Sequence, residues 1–242
     1  MKINIIKKII SHHDSQEKEN DSKSSILVFL PGLHEINKTH QALKSLEKRT
    51  GHSYLIFLVH STLTTHKNNR ELRRLLAAPP SGYRKIILST IICESSITVP
   101  DIKIVIDLCL TKTQNKCTTT NLSKLTLSWA SHENCDQRKG RAGRVQAGTC
   151  YRLLPESFYL HSIPQNIPPE ISRCKLETTI LVGKSVFPAL DPKSFLRMAM
   201  KVPHDTDVEL AVKVKGHLIG ILLSKINLIF TRSLPGPRCF LF

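Results

Sequence analysis

Four short runs rich in apolar residues, each bounded by polar or turn-forming residues, most constrain the fold of this 242-residue chain. The runs are Ile26–Leu30, Tyr54–Val59, Lys85–Leu88 and Ile102–Ile106. A continuous apolar run that ends at a turn such as Pro31-Gly32 is typical of a strand buried on both faces of a parallel sheet. Because predicted helices at 33–48 and 64–77 alternate with the runs, we expect an α/β fold with a doubly wound parallel sheet.

The pattern changes after Asp107. Stretches at 108–114 and 123–129 flank a polar, threonine-rich segment and predict a projecting β-hairpin, followed by a strand at 149–153. From Pro168 onward the character is helical, with predicted helices at 193–200 and 206–214. We therefore expect a disordered lead or linker over 1–24, the sheet domain over 25–165, a partial helical segment over 166–215 and a degenerate or truncated tail over 216–242.

Charge and cysteine content narrow the classes of function. The net charge is +16, from 35 Lys and Arg against 19 Asp and Glu, so the expected partner is a polyanion such as a nucleic acid. The seven cysteines are odd in number and lack C-x-x-C spacing, which favours free thiols in a reducing compartment, with no disulfide partner and no metal site. The apolar stretch at 218–230 is too short to cross a membrane, so no membrane partner is expected.

The segment Gln137–Arg144, with the sequence QRKGRAGR, carries the strongest chemical signal. If it were helical, Gln137, Arg141 and Arg144 would lie on one face, within an arc of about 60°. Guanidinium groups keep their charge and offer several donors, which suits the oxygens of a transferring phosphoryl group. The alternative is an ordinary solvated basic helix, although two glycines would destabilise it.

A second segment, Ser89–Thr98, follows the third predicted strand directly. Ligands in open α/β sheets bind at the carboxyl ends of the strands. Small hydroxyl side chains there can bond phosphate oxygens or a 2′-hydroxyl. Taken alone, the segment could equally be a Ser/Thr-rich loop with a helix cap.

Together the two segments resemble motifs V and VI of the DEAH/RHA-type superfamily 2 helicases, which read S-T-N-I-A-E-T-S-x-T and Q-R-x-G-R-A-G-R. Motif VI matches in full, and 26–32 and 105–107 look like motifs IV and Va. The phrases at 82–90 and 127–131 are similar to the spindle-E type, the tudor-domain-containing germline helicases of the piRNA pathway. The resemblance covers roughly 25–215 and implies a second RecA-like lobe with a projecting β-hairpin, then the start of a winged-helix domain.

The resemblance implies an ATP-dependent RNA helicase in which ATP and Mg²⁺ lie between two RecA-like lobes. Gln137, Arg141 and Arg144 would face the γ-phosphate, with the two arginines as arginine fingers. Leu72 takes the position from which an aromatic residue commonly stacks on adenine. Ser89, Thr90 and Thr98 would contact RNA, and the hairpin would separate strands. The implied partners are RNA and a first RecA-like lobe, and the implied location is the cytoplasm, including germline granules (nuage).

The sequence also departs from the family. These 242 residues contain no G-x-x-x-x-G-K-[ST] loop and no D-E-x-H, and Gly183-Lys184-Ser185 lies in a predicted helix with Thr178 where the first glycine belongs. We therefore expect no ATPase or helicase activity from this chain alone. Ile91 and Cys93 stand where the family has Asn and Ala. Two alternatives stay open: a stand-alone RNA-binding or regulatory module, and a non-functional reading frame.

Overall fold

A computed structural model describes residues 2–17, 23–61, 69–117, 122–143, 147–187 and 189–213. The chain divides into two compact units. The first comprises Met1–Thr113 and Leu125–Ile167, and the second comprises Gln114–Lys124 and Pro168–Phe242. The predicted tail at 216–242 lies outside the described residues.

The described strands form two sheets. They are β1 (Ser25–Phe29), β2 (Ser53–Val59), β3 (Tyr83–Ser89), β4 (Ile102–Asp107), β5 (Leu110–Lys116), β6 (Ser123–Trp129) and β7 (Thr149–Arg152). Five of them form a parallel sheet in the order β2-β3-β1-β4-β7, and β5 pairs with β6 in a separate two-stranded sheet. The predicted doubly wound parallel sheet and the projecting hairpin are confirmed.

Helices connect the strands and continue beyond the sheet. They are α1 (Lys2–Gln16), α2 (Leu33–Thr50), α3 (Asn69–Leu76), α4 (Ile92–Ser95), α5 (His132–Lys139), α6 (Glu156–Ser162), α7 (Glu170–Arg173), α8 (Glu177–Val186), α9 (Pro192–Leu196) and α10 (205–213). The helix predicted over 64–77 is found as α3, with 62–68 outside the described residues. The helix predicted over 193–200 is wrong in length, because α9 ends at Leu196.

The sheet is buried on both faces, as the apolar runs predict. Alternate residues of β1 point to opposite sides, so Ile26 and Val28 join the cluster under α2, whereas Leu27 and Phe29 join the cluster that includes Leu75 of α3. All five β1 residues are buried. Burial of apolar surface on both faces is the main source of stability for such a layered fold.

The prediction that residues 1–24 form a linker or disordered lead is wrong for 2–16, which form α1. Ile6 and Ile10 lie one turn apart and are fully buried in the sheet cluster, a gain of about 1.5–3 kcal/mol for each side chain. One turn further, buried Asp14 accepts hydrogen bonds from Arg84 Nε at 2.5 Å and from the Tyr54 hydroxyl at 2.6 Å. These contacts come from residues distant in the chain, so the polar sequence after Ile10 does not predict them.

Two cations of β3, Arg84 and Lys85, lie inside the protein. Arg84 is fully buried against Asp14. Lys85, on the other face and also fully buried, donates to the carbonyls of Leu75 and Ala77 at 2.9 and 2.7 Å and pairs with Asp101 at 2.8 Å. Acids and carbonyls from other segments thus pair with both cations in the interior.

The second unit has its own small core. Its buried residues are Leu176, Ile180, Leu196, Val208 and Ala211. Gly183 of α8 lets the Phe195 ring approach, since a Cβ there would lie 2.5 Å from the ring. The sequence Gly183-Lys184-Ser185 is therefore part of a packed helix, as predicted, and does not form a phosphate loop. The winged-helix assignment of this segment stays a prediction.

The tip of the β5–β6 hairpin belongs to the second unit. At its far end the Cys117 N–H donates to the Leu122 carbonyl at 2.9 Å, and residues 118–121 are outside the described part. Within the second unit, Lys116 of β5 pairs with Asp207 at 2.5 Å. Among the helices described here, none is long and apolar enough to cross a membrane.

Candidate functional site

The carboxyl ends of the five parallel strands are aligned in one row across the sheet. The register pairs Ser89 with Val59 and Phe29, Phe29 with Asp107, and Asp107 with Arg152. The Ser89–Thr98 segment leaves from this row. Since ligands of open α/β sheets bind at this edge, the row places the start of the segment, at Ser89, where the sequence predicts a site.

The hydroxyl residues at the end of β3 differ in exposure. Ser89 is fully buried, and its hydroxyl donates to the Thr90 carbonyl at 2.9 Å. Thr90 is half-buried and its N–H donates to the Val59 carbonyl at 3.3 Å, whereas Thr98 is exposed. Thr98 and Thr90 are thus accessible from solvent, and the RNA contact predicted for Ser89 stays a prediction.

The single helix expected over Gln137–Arg144 is wrong. α5 ends at Lys139, and the N–H groups of Arg141 and Ala142 donate to carbonyls three residues back, which tightens the last turn. Gly143 then adopts φ +77°, a left-handed conformation that favours glycine. The regular helix therefore ends before Arg141, so Gln137 and Arg141 do not share one regular helical face.

The structure brings together two of the predicted site residues from different motifs. An Arg141 nitrogen donates to the Glu94 carbonyl, and Arg141 Nη1 lies 3.5 Å from the Thr98 hydroxyl. Burial raises the pKa of the nearby Cys93 thiol to about 11, while a Ser89 hydrogen bond and the Arg141 charge act in the opposite direction. Gln137 is exposed on α5, and Arg144 lies outside the described residues.

Beneath these residues lies a buried polar network that the sequence reasoning missed. Arg138 is 1% exposed; its Nε donates to Glu94 Oε2 and its Nη1 to Asp107 Oδ1, both at 2.9 Å. Asn134, in the capping box at the start of α5, donates to Glu94 Oε1 at 2.6 Å. Burial lowers the pKa of Arg138, but the charges of Asp107 and Glu94 outweigh this effect and raise it.

The sequence contained a signal for this network. Glu94 and Asp107 belong to the segments that resemble motifs V and Va, and Arg138 stands beside Gln137 in motif VI. Buried charges require partners, so one acid in each of two motifs and an extra arginine in the third favour a shared ion pair.

Leu72 lies apart from the arginines, on α3. Its side chain is 44% exposed and lines an apolar pocket of about 170 Å³. The other lining residues are Phe57, Leu58, Val59, Glu71, Leu75 and Ile97. An apolar surface of this kind can pack against a planar base, and the adenine contact of Leu72 stays a prediction.

Three buried side chains of the first unit, Asp107, Cys109 and Cys135, offer potential metal ligands within 4.8 Å of one another. A hydrogen bond with Cys135 and burial raise the pKa of Cys109, so the neutral thiol is favoured. The Asp107 carboxylate already forms an ion pair with the Arg138 guanidinium. These features fit a packed thiol pair better than a cation site.

The fold and the aligned motifs define a class of protein. The sequence profile described as "Helicase conserved C-terminal domain" matches residues 1–146, more than half of the chain. The chain therefore belongs to the helicase C-terminal domain family.

Named relatives refine this assignment. The chain is 47% identical over 188 residues to the mouse "ATP-dependent RNA helicase TDRD9", a match that covers 77% of this chain and 13% of that protein. It is 36% identical over 229 residues to the "Probable ATP-dependent RNA helicase spindle-E" of Drosophila ananassae, covering 94% of this chain and 15% of that protein. The resemblance to the spindle-E type is confirmed, and the chain spans about one seventh of these relatives.

Solved structures support the same assignment. The Escherichia coli DExH-box NTPase HrpB superposes with a TM-score of 0.67 at 25% identity, covering 87% of this chain and 24% of that protein. A second structure, of the E. coli DEAH/RHA helicase HrpB, superposes with the same TM-score at 27% identity, covering 86% of this chain and 24% of that one. The predicted RecA-like α/β fold is confirmed.

Proposed function

We propose that this chain is the C-terminal motor lobe of an ATP-dependent RNA helicase. In this proposal Arg141, with Gln137 and Arg144, contacts the γ-phosphate of an ATP molecule that a first RecA-like lobe holds together with Mg²⁺. Thr90 and Thr98, with Ser89, lie along the RNA, and the β5–β6 hairpin separates strands.

The contact between Arg141 and the segment that carries Thr98 is the observation that best supports this proposal. It joins a half-buried guanidinium to an exposed hydroxyl residue in the connection between β3 and β4. A guanidinium with fixed donors can stabilise charge on a transferring phosphoryl group, which is worth about 10³-fold or more in rate. A neighbouring hydroxyl can hydrogen-bond an RNA backbone. The residues therefore fit a nucleotide phosphate on one side and RNA on the other.

The motif resemblance to the spindle-E type extends the proposal. On that resemblance we place this lobe in piRNA-directed transposon silencing in the germline cytoplasm, including nuage. Immunolocalisation in gonads tests this assignment. Signal restricted to somatic tissue would contradict it.

Reconstitution tests the motor role. The chain is mixed with the separately produced first lobe of the mouse relative, γ-³²P-ATP and single-stranded RNA, and phosphate release is measured. We expect RNA-stimulated hydrolysis that Arg141→Ala lowers by about 10³-fold. Arg49→Ala is the matched control, since Arg49 is an exposed arginine at the C-terminal end of α2, before β2 begins.

Two results would contradict the motor role. Hydrolysis that Arg141→Ala leaves unchanged would exclude the arginine-finger role. RNA binding with a steep salt dependence but no hydrolysis in the mixture would instead favour the stand-alone RNA-binding module. The chain alone should release no phosphate above the no-enzyme rate.

A further inference from the structure

We propose that Arg138 is a positioning residue that makes the RNA-facing segment 89–98 and the turn carrying Arg141 respond as one unit. This inference rests on the proposed function, because it assigns a role to a residue that contacts neither RNA nor nucleotide there. Nothing in the motif resemblance gives Arg138 a role apart from Gln137, Arg141 and Arg144.

The guanidinium of Arg138 joins three separate pieces of the first unit. Nε binds Glu94 on α4, and Nη1 binds both Asp107 at the end of β4 and the Leu110 carbonyl at the start of β5, at 2.9 and 3.2 Å. The Cζ atom of Arg138 lies 5.1 Å from the centre of the Phe29 ring at the end of β1. A planar fork can hold two carboxylates in a fixed relative orientation, which a point charge such as lysine cannot do.

Burial makes this joint stiff. Arg138 is 1% exposed, Asp107 is fully buried and Glu94 is 7% exposed, so water does not replace a broken contact. Separating α4 from α5 would leave a charge without its partner in the interior, which is strongly unfavourable. Small displacements of α4 are therefore passed to α5.

Glu94 connects this joint to both sides of the proposed site. Its carboxylate binds Arg138 and Asn134 of α5, and its backbone carbonyl accepts a hydrogen bond from Arg141. Thr98 lies four residues further along the chain and contacts the same Arg141. RNA that binds to Thr98 would thus displace Glu94. The displacement of Glu94 would in turn move the end of α5 and the Arg141 side chain.

Hydrogen–deuterium exchange with mass spectrometry tests the coupling in the full chain. Exchange of peptides covering 89–98 and 138–143 is measured with and without saturating single-stranded RNA. In the wild type we expect RNA to slow exchange about fivefold or more in both peptides. In Arg138→Lys and Glu94→Gln, which keep charge or shape, we expect the slowing to persist in 89–98 and to vanish in 138–143.

Arg84→Lys provides the matched control, because Arg84 is equally buried and also binds a carboxylate, but on α1. This variant should keep the RNA effect in both peptides. A merely structural role of Arg138 would raise exchange without RNA but would leave the RNA-induced slowing of 138–143 intact, which overturns the inference. Slowing of 89–98 alone in the wild type also overturns it. Absence of any RNA effect on 89–98 in the wild type contradicts the proposed function as well.

Discussion

Two buried arginines of the first unit show how similar local chemistry can have different consequences. Arg84 binds Asp14 and Glu17 at 2.5 and 3.0 Å and the Ser24 carbonyl, whereas Arg138 binds Glu94, Asp107 and the Leu110 carbonyl. The carboxylate partners of Arg84 lie on or just after α1 and hold that helix against the sheet. The partners of Arg138 lie beside the accessible residues of the proposed site. The identity of the partner segment, more than burial or geometry, distinguishes an anchor from a support of the site.

The largest expected effect concerns the Arg84 anchor. Arg84→Ala leaves Asp14 buried and without its cation, so we expect the free energy of unfolding to fall by about 3–5 kcal/mol. Urea titration followed by circular dichroism measures this change. Tyr54→Phe removes only the hydroxyl that donates to Asp14 and should cost about 1 kcal/mol. A loss below 1 kcal/mol for Arg84→Ala would show that α1 is held by its isoleucines alone.

A smaller effect is expected from pH, again at the anchor. Burial and the Arg84 charge lower the pKa of His13, which lies 3.0 Å from the Tyr151 hydroxyl. The folded state therefore favours neutral His13, so its contribution is complete above the unfolded pKa of about 6.5 and is lost as pH falls through the lower folded value. Thermal melts between pH 7.5 and 5 should show declining stability.

His13→Gln should weaken this decline, since the variant has no group that titrates in that range. Glu17 affects stability at lower pH. Burial raises the pKa of Glu17, but hydrogen bonds from Ser24 and the Arg84 charge outweigh burial and lower this pKa. Its contribution is present above about pH 4.5 and is lost as pH falls further. An identical pH slope between 7.5 and 5 in wild type and His13→Gln would contradict the assignment.

The smallest expected effect sharpens the site side of the comparison. Ile91 is 50% exposed and stands where the family has asparagine. Ile91→Asn adds a donor and an acceptor beside Thr90, so we expect RNA affinity to rise about two- to tenfold, the equivalent of one hydrogen bond. Filter binding at fixed salt measures it. Ile5→Asn makes the same change at a 38% exposed position on α1 and should leave affinity unchanged. Equal affinity of Ile91→Asn and wild type would place RNA away from Ile91.

The sheet could be predicted from the sequence because its information is local. Each apolar run records burial on both faces, and turn residues such as Pro31-Gly32 mark where it ends. The α1 helix could not be predicted in the same way. Its buried Asp14 depends on Arg84, 70 positions along the chain, and no local pattern records that pair.

The candidate site was predictable in part for the same reason. Motif spacing identified the two segments, and the structure brings Thr98 and Arg141 together. The single helix expected over Gln137–Arg144 is wrong because α5 ends at Lys139 and Gly143 turns the chain in a left-handed conformation, which motif spacing does not record. The burial of Arg138 depends on carboxylates 44 and 31 positions away, so the local sequence does not predict that this arginine is buried.

Lys85 has a consequence for the basic surface of α3. Its ammonium group approaches from the sheet and neutralises the partial negative charge at the carboxyl end of that helix, where the Leu75 and Ala77 carbonyls face inward. Arg73 and Arg74 lie near the same end of the helix and are exposed to solvent, so they are not needed to neutralise this charge. The buried Lys85 thus provides the cation at the C-terminal end of α3. The arginines on the solvent face of this helix therefore remain available to bind a polyanion.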